Sequence, residues 1–204
     1  MARVSAMATS YNFILLPIAL GLLLPSLIMP WVTLGLFGTS NLSPIDLLSS
    51  WPDDQSGDIT PDTIREHPEI IFHDLVKSYK VTAPYIISMA FYLASIVGAV
   101  IAIVMKNKHE HRWIVALIAG VLAITSAAVW FMMIESIKNT FAEQAALTGG
   151  LIGEEFRGNE NSLADRILKV GIGPLVIIPA GGLAIGYYFF QRRITSAPAM
   201  SSPE

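Results

Sequence analysis

Apolar positions along this chain run together instead of alternating with polar ones. Four long stretches are almost bare of charge: Tyr11 to Pro52 apart from Asp46, Val81 to Met105, Trp113 to Ile134, and Val170 to Gln191. Each holds about 20 consecutive mostly apolar residues, the length that crosses a hydrocarbon core of about 30 Å in helical conformation. The pattern predicts an all-α membrane protein, a four-helix transmembrane bundle forming one domain over residues 1–204, with spans at about 12–37, 82–105, 113–135 and 169–190. Between the spans lie two extracytosolic segments, about 38–81 and 136–168, and a Ser/Pro-rich tail, 195–204, is expected to be disordered. The first stretch follows a lone Arg3 in the manner of a signal peptide. No small-residue cleavage site follows in Ser26-Leu27-Ile28-Met29-Pro30-Trp31, so it is read as a retained signal-anchor helix.

Local signals refine the ends of these elements. Pro17, Pro25 and Pro30 in span one, and Pro174 and Pro179 in span four, each remove a backbone donor, so both helices should kink. The run Val32-Thr33-Leu34-Gly35-Leu36-Phe37-Gly38 has strand formers and glycine. A turn at Gly38-Thr39-Ser40 would fold Asn41 to Leu48 back on it as a short β-hairpin. A helix starts near Pro61-Asp62-Thr63 and is interrupted or restarted at Pro68, after which Ile70, Ile71, Leu75, Val76 and Tyr79 make one apolar face. Span three continues as a helix through Leu147 until Gly149-Gly150 breaks it. Ser162-Leu163-Ala164-Asp165 then resembles a capping box that leads a helix into span four.

Lipid tails are as apolar as leucine, so helices in a bilayer associate through close packing at small residues. Span two carries Ala90, Ala94, Gly98 and Ala102 at four-residue spacing. Span three carries Ala119, Ala123 and Ala127, and span four carries Gly182 and Gly186. These stripes predict packing seams, internal for the most part and otherwise serving a partner subunit.

Composition agrees with the pattern: 53% of residues are hydrophobic and 14% charged, against about 25% charged in soluble domains. The basic residues set an orientation, because basic loops resist translocation. Lys106, Lys108 and Arg112 crowd the short loop between spans two and three, and Arg192 and Arg193 close span four, so both termini are expected in the cytosol and the chain in the cell membrane. Of the acidic residues, only Glu110 and Glu204 then fall inside, which leaves the outer segments acidic. Trp31, Lys106, Lys108, Arg112, Arg192 and Arg193 are read as anchors at the lipid–water interface.

Chemistry changes this picture little. With no cysteine, disulfides and thiolate sites are excluded. His67, Glu69, His73 and Asp74 offer two imidazoles and two carboxylates that suit zinc or copper, but their spacing matches no metal signature and a solvated surface is the simpler reading. His109-Glu110-His111 is a weaker candidate. No serine-hydrolase, zinc-protease, phosphate-binding or dinucleotide-binding motif is present, so no catalytic residue, cofactor or nucleic-acid partner is expected. Away from the span ends no charged side chain lies within a span, where one would mark an ion or proton route. Ser26, Ser88, Ser95, Thr125 and Ser126 are the main polar groups inside, and hydrogen bonds back to their own helices would satisfy them.

Four spans, a larger first outer segment and Pro30-Trp31 followed by Leu34-Gly35-Leu36 resemble the claudin and peripheral-myelin-protein superfamily. That resemblance implies a short strand pair beyond span one. It stops at topology, because the Gly-Leu-Trp and paired cysteines of the claudin first loop are missing, and no junction role is carried over. The leading functional expectation is a non-enzymatic scaffold or accessory subunit of a membrane complex, whose partners are the lipid bilayer and other membrane subunits or further copies of itself. Two other readings stand beside it: a small transporter or channel built on the kinked helices one and four, and a metal-site subunit of a membrane enzyme.

Overall fold

A computed structural model describes residues 14–35, 39–49, 67–105, 109–148, 164–165 and 167–195. Helix α1, Ile14–Leu27, is apolar and closes in a 3-10 turn, Pro25–Leu27. Strand β1 (Val32–Leu34), strand β2 (Ser40–Leu42) and helix α2 (Pro44–Ser49) follow, then helix α3 (Pro68–Ser78). The long helices are α4 (Thr82–Val104), α5 (His109–Thr148) and α6 (Gly173–Thr195), with strand β3 (Leu168–Val170) between the last two.

Three of these helices are long and apolar enough to cross a membrane, over Thr82–Val104, His111–Gln144 and Gly173–Arg193. Large apolar side chains point outward from them, among them Ile86, Leu93, Val97, Val104, Ile118, Met132, Leu175 and Phe189. The inward faces form two buried clusters. One gathers Leu23, Tyr85, Tyr92, Trp130, Ile134 and Ile177; the other gathers Leu16, Ala19, Ala102, Ala116, Ala184 and Tyr187. Each helix contributes to both, entering from alternate ends, so the bundle runs up and down. Aromatic side chains fill one end and small ones the other.

The expected antiparallel pairing is present in the register Val32↔Leu42, Thr33↔Asn41, Leu34↔Ser40, but it is confined to Ser40–Leu42. Ser40, expected in the turn, is a strand residue, and residues 44–48, expected to continue the strand, belong to helix α2, whose start Pro44 and the Ser43–Asp46 hydrogen bonds favour. Span one, expected to reach residue 37, therefore ends ten residues earlier, at Leu27. Two prolines explain the early end: Pro25 and Pro30 cannot donate to the helical ladder, and the turn is tightened by the Leu27 N–H to the Leu24 carbonyl and the Ile28 N–H to the Pro25 carbonyl.

A third strand was not expected. Residues 168–170, assigned from sequence to a helix leading into span four, instead pair with β1 antiparallel, giving the sheet order β2-β1-β3. Leu168 beside Val170 alternates with Lys169, and β1 offers a free edge with the same alternation. Val32, Leu34, Leu42 and Leu168 are all buried toward the bundle, while Thr33, Asn41 and Lys169 sit on the other face, where the Thr33 hydroxyl donates to Asn41 Oδ1 at 2.8 Å.

Helix α5 runs to Thr148, as the Gly149-Gly150 breaker requires, and α3 begins at Pro68, which suits the first helical position. The start near Pro61, Ser162 at the head of the expected capping box, and residues 196–204 of the tail lie outside the described residues. A capping box not anticipated from sequence does start α2: Ser43 N–H and Oγ donate to Asp46 Oδ2 at 2.8 and 2.7 Å, and Asp46 N–H returns to Ser43 Oγ at 3.3 Å.

Helix α3 ends in a Schellman turn. The Lys80 N–H reaches the Lys77 carbonyl and the Val81 N–H reaches the Val76 carbonyl, which forces Lys80 to φ 57°. A side chain at that φ costs about 1 kcal/mol relative to glycine. Lys80→Gly should therefore raise unfolding stability by up to about 1 kcal/mol, less the entropy that glycine adds to the unfolded chain. Denaturant titration in a mild detergent would show this, and an unchanged or lowered midpoint would refute it.

Candidate interaction site at the sheet-bearing end

The sheet, α2 and α3 close one end of the bundle as a cap, and Trp31 is the side chain that joins cap to bundle. It was expected at a lipid–water interface. It is instead fully buried, 0% exposed, between the first and last helices and the sheet. The residues around it make up its socket. Its indole N–H donates to the Ser26 carbonyl at 3.0 Å, its backbone N–H to the Leu42 carbonyl at 2.8 Å, and its own carbonyl accepts from Gly171 N–H at 2.9 Å and Trp130 Nε1 at 3.2 Å. Edge-on rings of Tyr92 and Trp130 lie 4.8 and 5.0 Å away. Every polar atom that Trp31 buries is thus engaged, as burial of an indole and a peptide requires.

Glycine makes this close fit possible. A Cβ at Gly171 would collide with the Pro30 carbonyl oxygen, and one at Gly173 would collide with the Trp31 ring. The pair Gly171 and Gly173, just ahead of Pro174, is the floor of the tryptophan socket. A signal was present in the short Gly-Ile-Gly-Pro run, but nothing in it names its partner.

The aromatic cluster extends outward from Trp130 through Phe72 and Tyr85 to His73, with ring centroids between 5.8 and 6.1 Å apart along the way. The Tyr85 hydroxyl donates to the Leu47 carbonyl at 3.2 Å, tying α2 to α4. On the α5 side, Lys138 holds Glu135 at 3.2 Å and Asp165 at 2.8 Å, linking the helix to the approach to β3. The hydrogen bond from Lys138 holds the exposed Asp165 carboxyl below its usual range.

Inside the bundle the serines do more than bond to their own helices. Ser95 does so, donating to the Tyr92 carbonyl at 2.7 Å. Ser88 and Ser126 instead form a reciprocal clasp between α4 and α5, each hydroxyl donating to the other's carbonyl at 2.9 and 2.8 Å. Ser26 and Tyr92 converge on the Leu23 carbonyl from two helices, with their oxygens 2.6 Å apart.

The expected seam residues have divided positions. Ala102, Ala119, Ala123 and Ala127 are buried, and a Cβ at Gly98 would stand 3.0 Å from that of Ala119. Ala90 and Ala94 are on the outward face of α4, and Gly182 and Gly186 have open space where a Cβ would be, so none of these four belongs to an internal seam. The close approach of α5 and α6 is made one residue earlier, by Gly181 against Gly120. Among the expected anchors, Lys106 and Lys108 lie outside the described residues and Arg192 and Arg193 are exposed. Arg112 is turned into the bundle: it is 6% exposed, its Nε donates to the Ala102 carbonyl at 2.8 Å, and its guanidinium stands 5.5 Å from the Tyr187 ring centre. Ala102 is in the last turn of α4, so Arg112 supplies a cation where that helix is electronegative.

The metal candidates are not brought together. His67 is exposed and meets Glu69 at 3.0 Å, whereas His73 is turned into the aromatic cluster. Among the described residues no group of three or more His, Cys, Asp or Glu is placed to hold a metal ion. Comparison of the chain with protein-family models, with curated proteins and with solved structures finds no match.

Proposed function

We propose that this chain is a multi-pass membrane protein whose four apolar helices cross the bilayer with both termini cytosolic, and that it acts as a non-enzymatic scaffold or accessory subunit of a membrane complex. The observation that carries this reading is the cap. Strands from both inter-helix segments are joined in one sheet and seated on the bundle through Trp31, so two separate stretches of chain present a single fixed surface. A preformed surface loses little entropy when a partner docks. Outward rows of isoleucine, leucine, valine and phenylalanine on the long helices suit lipid contact, and the order of helix, hairpin, helix, long helix, strand and helix is the arrangement for which the claudin and peripheral-myelin-protein likeness is proposed.

The test is contact on that surface in native membranes. Photo-crosslinking residues placed at Thr33, Asn41 or Lys169, on the sheet face turned away from the bundle, should yield one defined adduct. Adducts at Ile86 or Val97, on the outward face of α4, should be lipid only. A chain that runs at monomer mass with no protein adduct from any cap position would defeat the scaffold reading.

A further inference from the structure

Helix α2 has an apolar side wider than the bundle covers. At about 100° per residue, Pro44 and Leu47 share one face, Leu48 and Ile45 take the flank beside it, and Ser49 and Asp46 take the rest. Pro44 and Leu47 are buried, whereas Ile45 and Leu48 are 47% and 39% exposed. A helix of six residues is too short to persist unaided, so what covers that flank bears on whether α2 holds.

The neighbours of α2 set its depth. It packs against the 3-10 turn Pro25–Leu27 that closes α1, and the Tyr85 hydroxyl, from the first turn of α4, donates to the Leu47 carbonyl at 3.2 Å. Helix α4 has 23 residues, about 34 Å in length against about 30 Å of hydrocarbon, so its first turn lies at the polar boundary. Lys80, exposed just ahead of α4, marks the aqueous side of that boundary. On the other side, Leu24, Ile28 and Ile86 flank the two contacts along the chain and point outward, Ile28 being 72% exposed.

We propose that α2 is an interfacial helix: Ile45 and Leu48 enter the acyl region of the leaflet at the sheet-bearing end, Asp46 and Ser49 stay among headgroups and water, and lipid is the partner that covers the open flank. The flank then continues the outward apolar surface of α1 and α4 at the level where that surface meets water. Only Ser43 separates α2 from β2, so the seat in lipid also sets how far the sheet stands from the membrane. The inference rests on the reading that the long helices cross a bilayer and does not need the scaffold role.

The chain has no cysteine, so a single introduced cysteine carries a nitroxide at one position only. In phosphatidylcholine vesicles, oxygen concentrates among acyl chains and a nickel chelate stays in water, and the ratio of their collisions with the label reads its depth. Labels at Ile45→Cys and Leu48→Cys should favour oxygen, as one at Val97→Cys on the outward face of α4 should, by several-fold over labels at Ser49→Cys and Lys169→Cys. Chelate-favouring labels at Ile45 and Leu48 beside an oxygen-favouring label at Val97 would overturn the lipid seat and leave the membrane reading standing. A chelate-favouring label at Val97 would overturn both. Labels at Ile45 and Leu48 shielded from both reagents would mean that protein covers α2, another subunit or a second copy, and would equally overturn the seat. Should a variant not fold, the unmodified chain decides: phosphatidylcholine with a photoreactive acyl chain should label residues 43–49 as well as α4, and label on α4 alone overturns the proposal.

Discussion

Trp31→Ala should lower the unfolding stability of the chain by roughly 3–5 kcal/mol, the range for truncating a fully buried tryptophan. The site favours the upper part of that range. Its walls include Gly171 and Gly173, which have no side chains with which to fill the void, and the backbones of Pro30 and β1, which are fixed by sheet hydrogen bonds. Truncation also strands the Ser26 carbonyl, which accepts the indole N–H. Trp31→Phe separates the two effects, since it keeps most of the ring volume and loses only the donor; a cost of about 1–3 kcal/mol is expected there. Denaturant titration in detergent, followed by far-ultraviolet circular dichroism, reads both. If Trp31→Ala costs under about 1 kcal/mol, Trp31 is a surface anchor after all and the account of the cap is wrong.

The contrast between what could be read from the residues and what could not is sharpest at this tryptophan. Hydropathy locates the long helices well, because bare runs of about 20 apolar residues have few other uses. The pairing of β1 with β2 was legible in part, since Pro30 stops the helix ahead of strand formers, but the strand expected through Leu48 gives way to α2 after Leu42. The third strand was not, because three residues with one apolar alternation carry almost no periodic signal, and β3 exists only because β1 presents an edge far away in sequence. Trp31 and Arg112 were misplaced for a related reason. Tryptophan and arginine near the end of a span usually mark an interface, and only tertiary partners distant in sequence, Gly173 for one and the Ala102 carbonyl for the other, draw them inside. The serines show the same limit: a hydroxyl in a helix always has a local acceptor, so its choice of a neighbouring helix is invisible until the helices are packed.

The glycines of α6 give the second large effect, and they discriminate between the sequence reading and the structure. Spacing alone favours Gly182 and Gly186 as a close-packing pair, yet the structure puts the contact at Gly181. A Cβ there would stand 2.7 Å from Ile124 Cγ1 and 2.8 Å from the Gly120 carbonyl oxygen, and one at Gly120 would stand 2.7 Å from the Gly181 carbonyl oxygen. The isoleucine tip can rotate away, but the carbonyls belong to helical backbone and cannot. Gly120→Ala or Gly181→Ala must therefore push α5 and α6 apart, at a cost of about 1–3 kcal/mol each. In a bilayer the loss matters more than its size suggests, because close packing is the main attraction between helices there. The two sites face each other, so the double variant should cost less than the sum of the singles once the helices have already separated. Gly182→Ala meets nothing within 4 Å and should be neutral or stabilise by up to about 1 kcal/mol through helix propensity. Unfolding midpoints for the three single variants settle the matter, and a Gly182→Ala more damaging than Gly181→Ala would mean that the outward face of α6 is itself a packing surface, occupied by another helix.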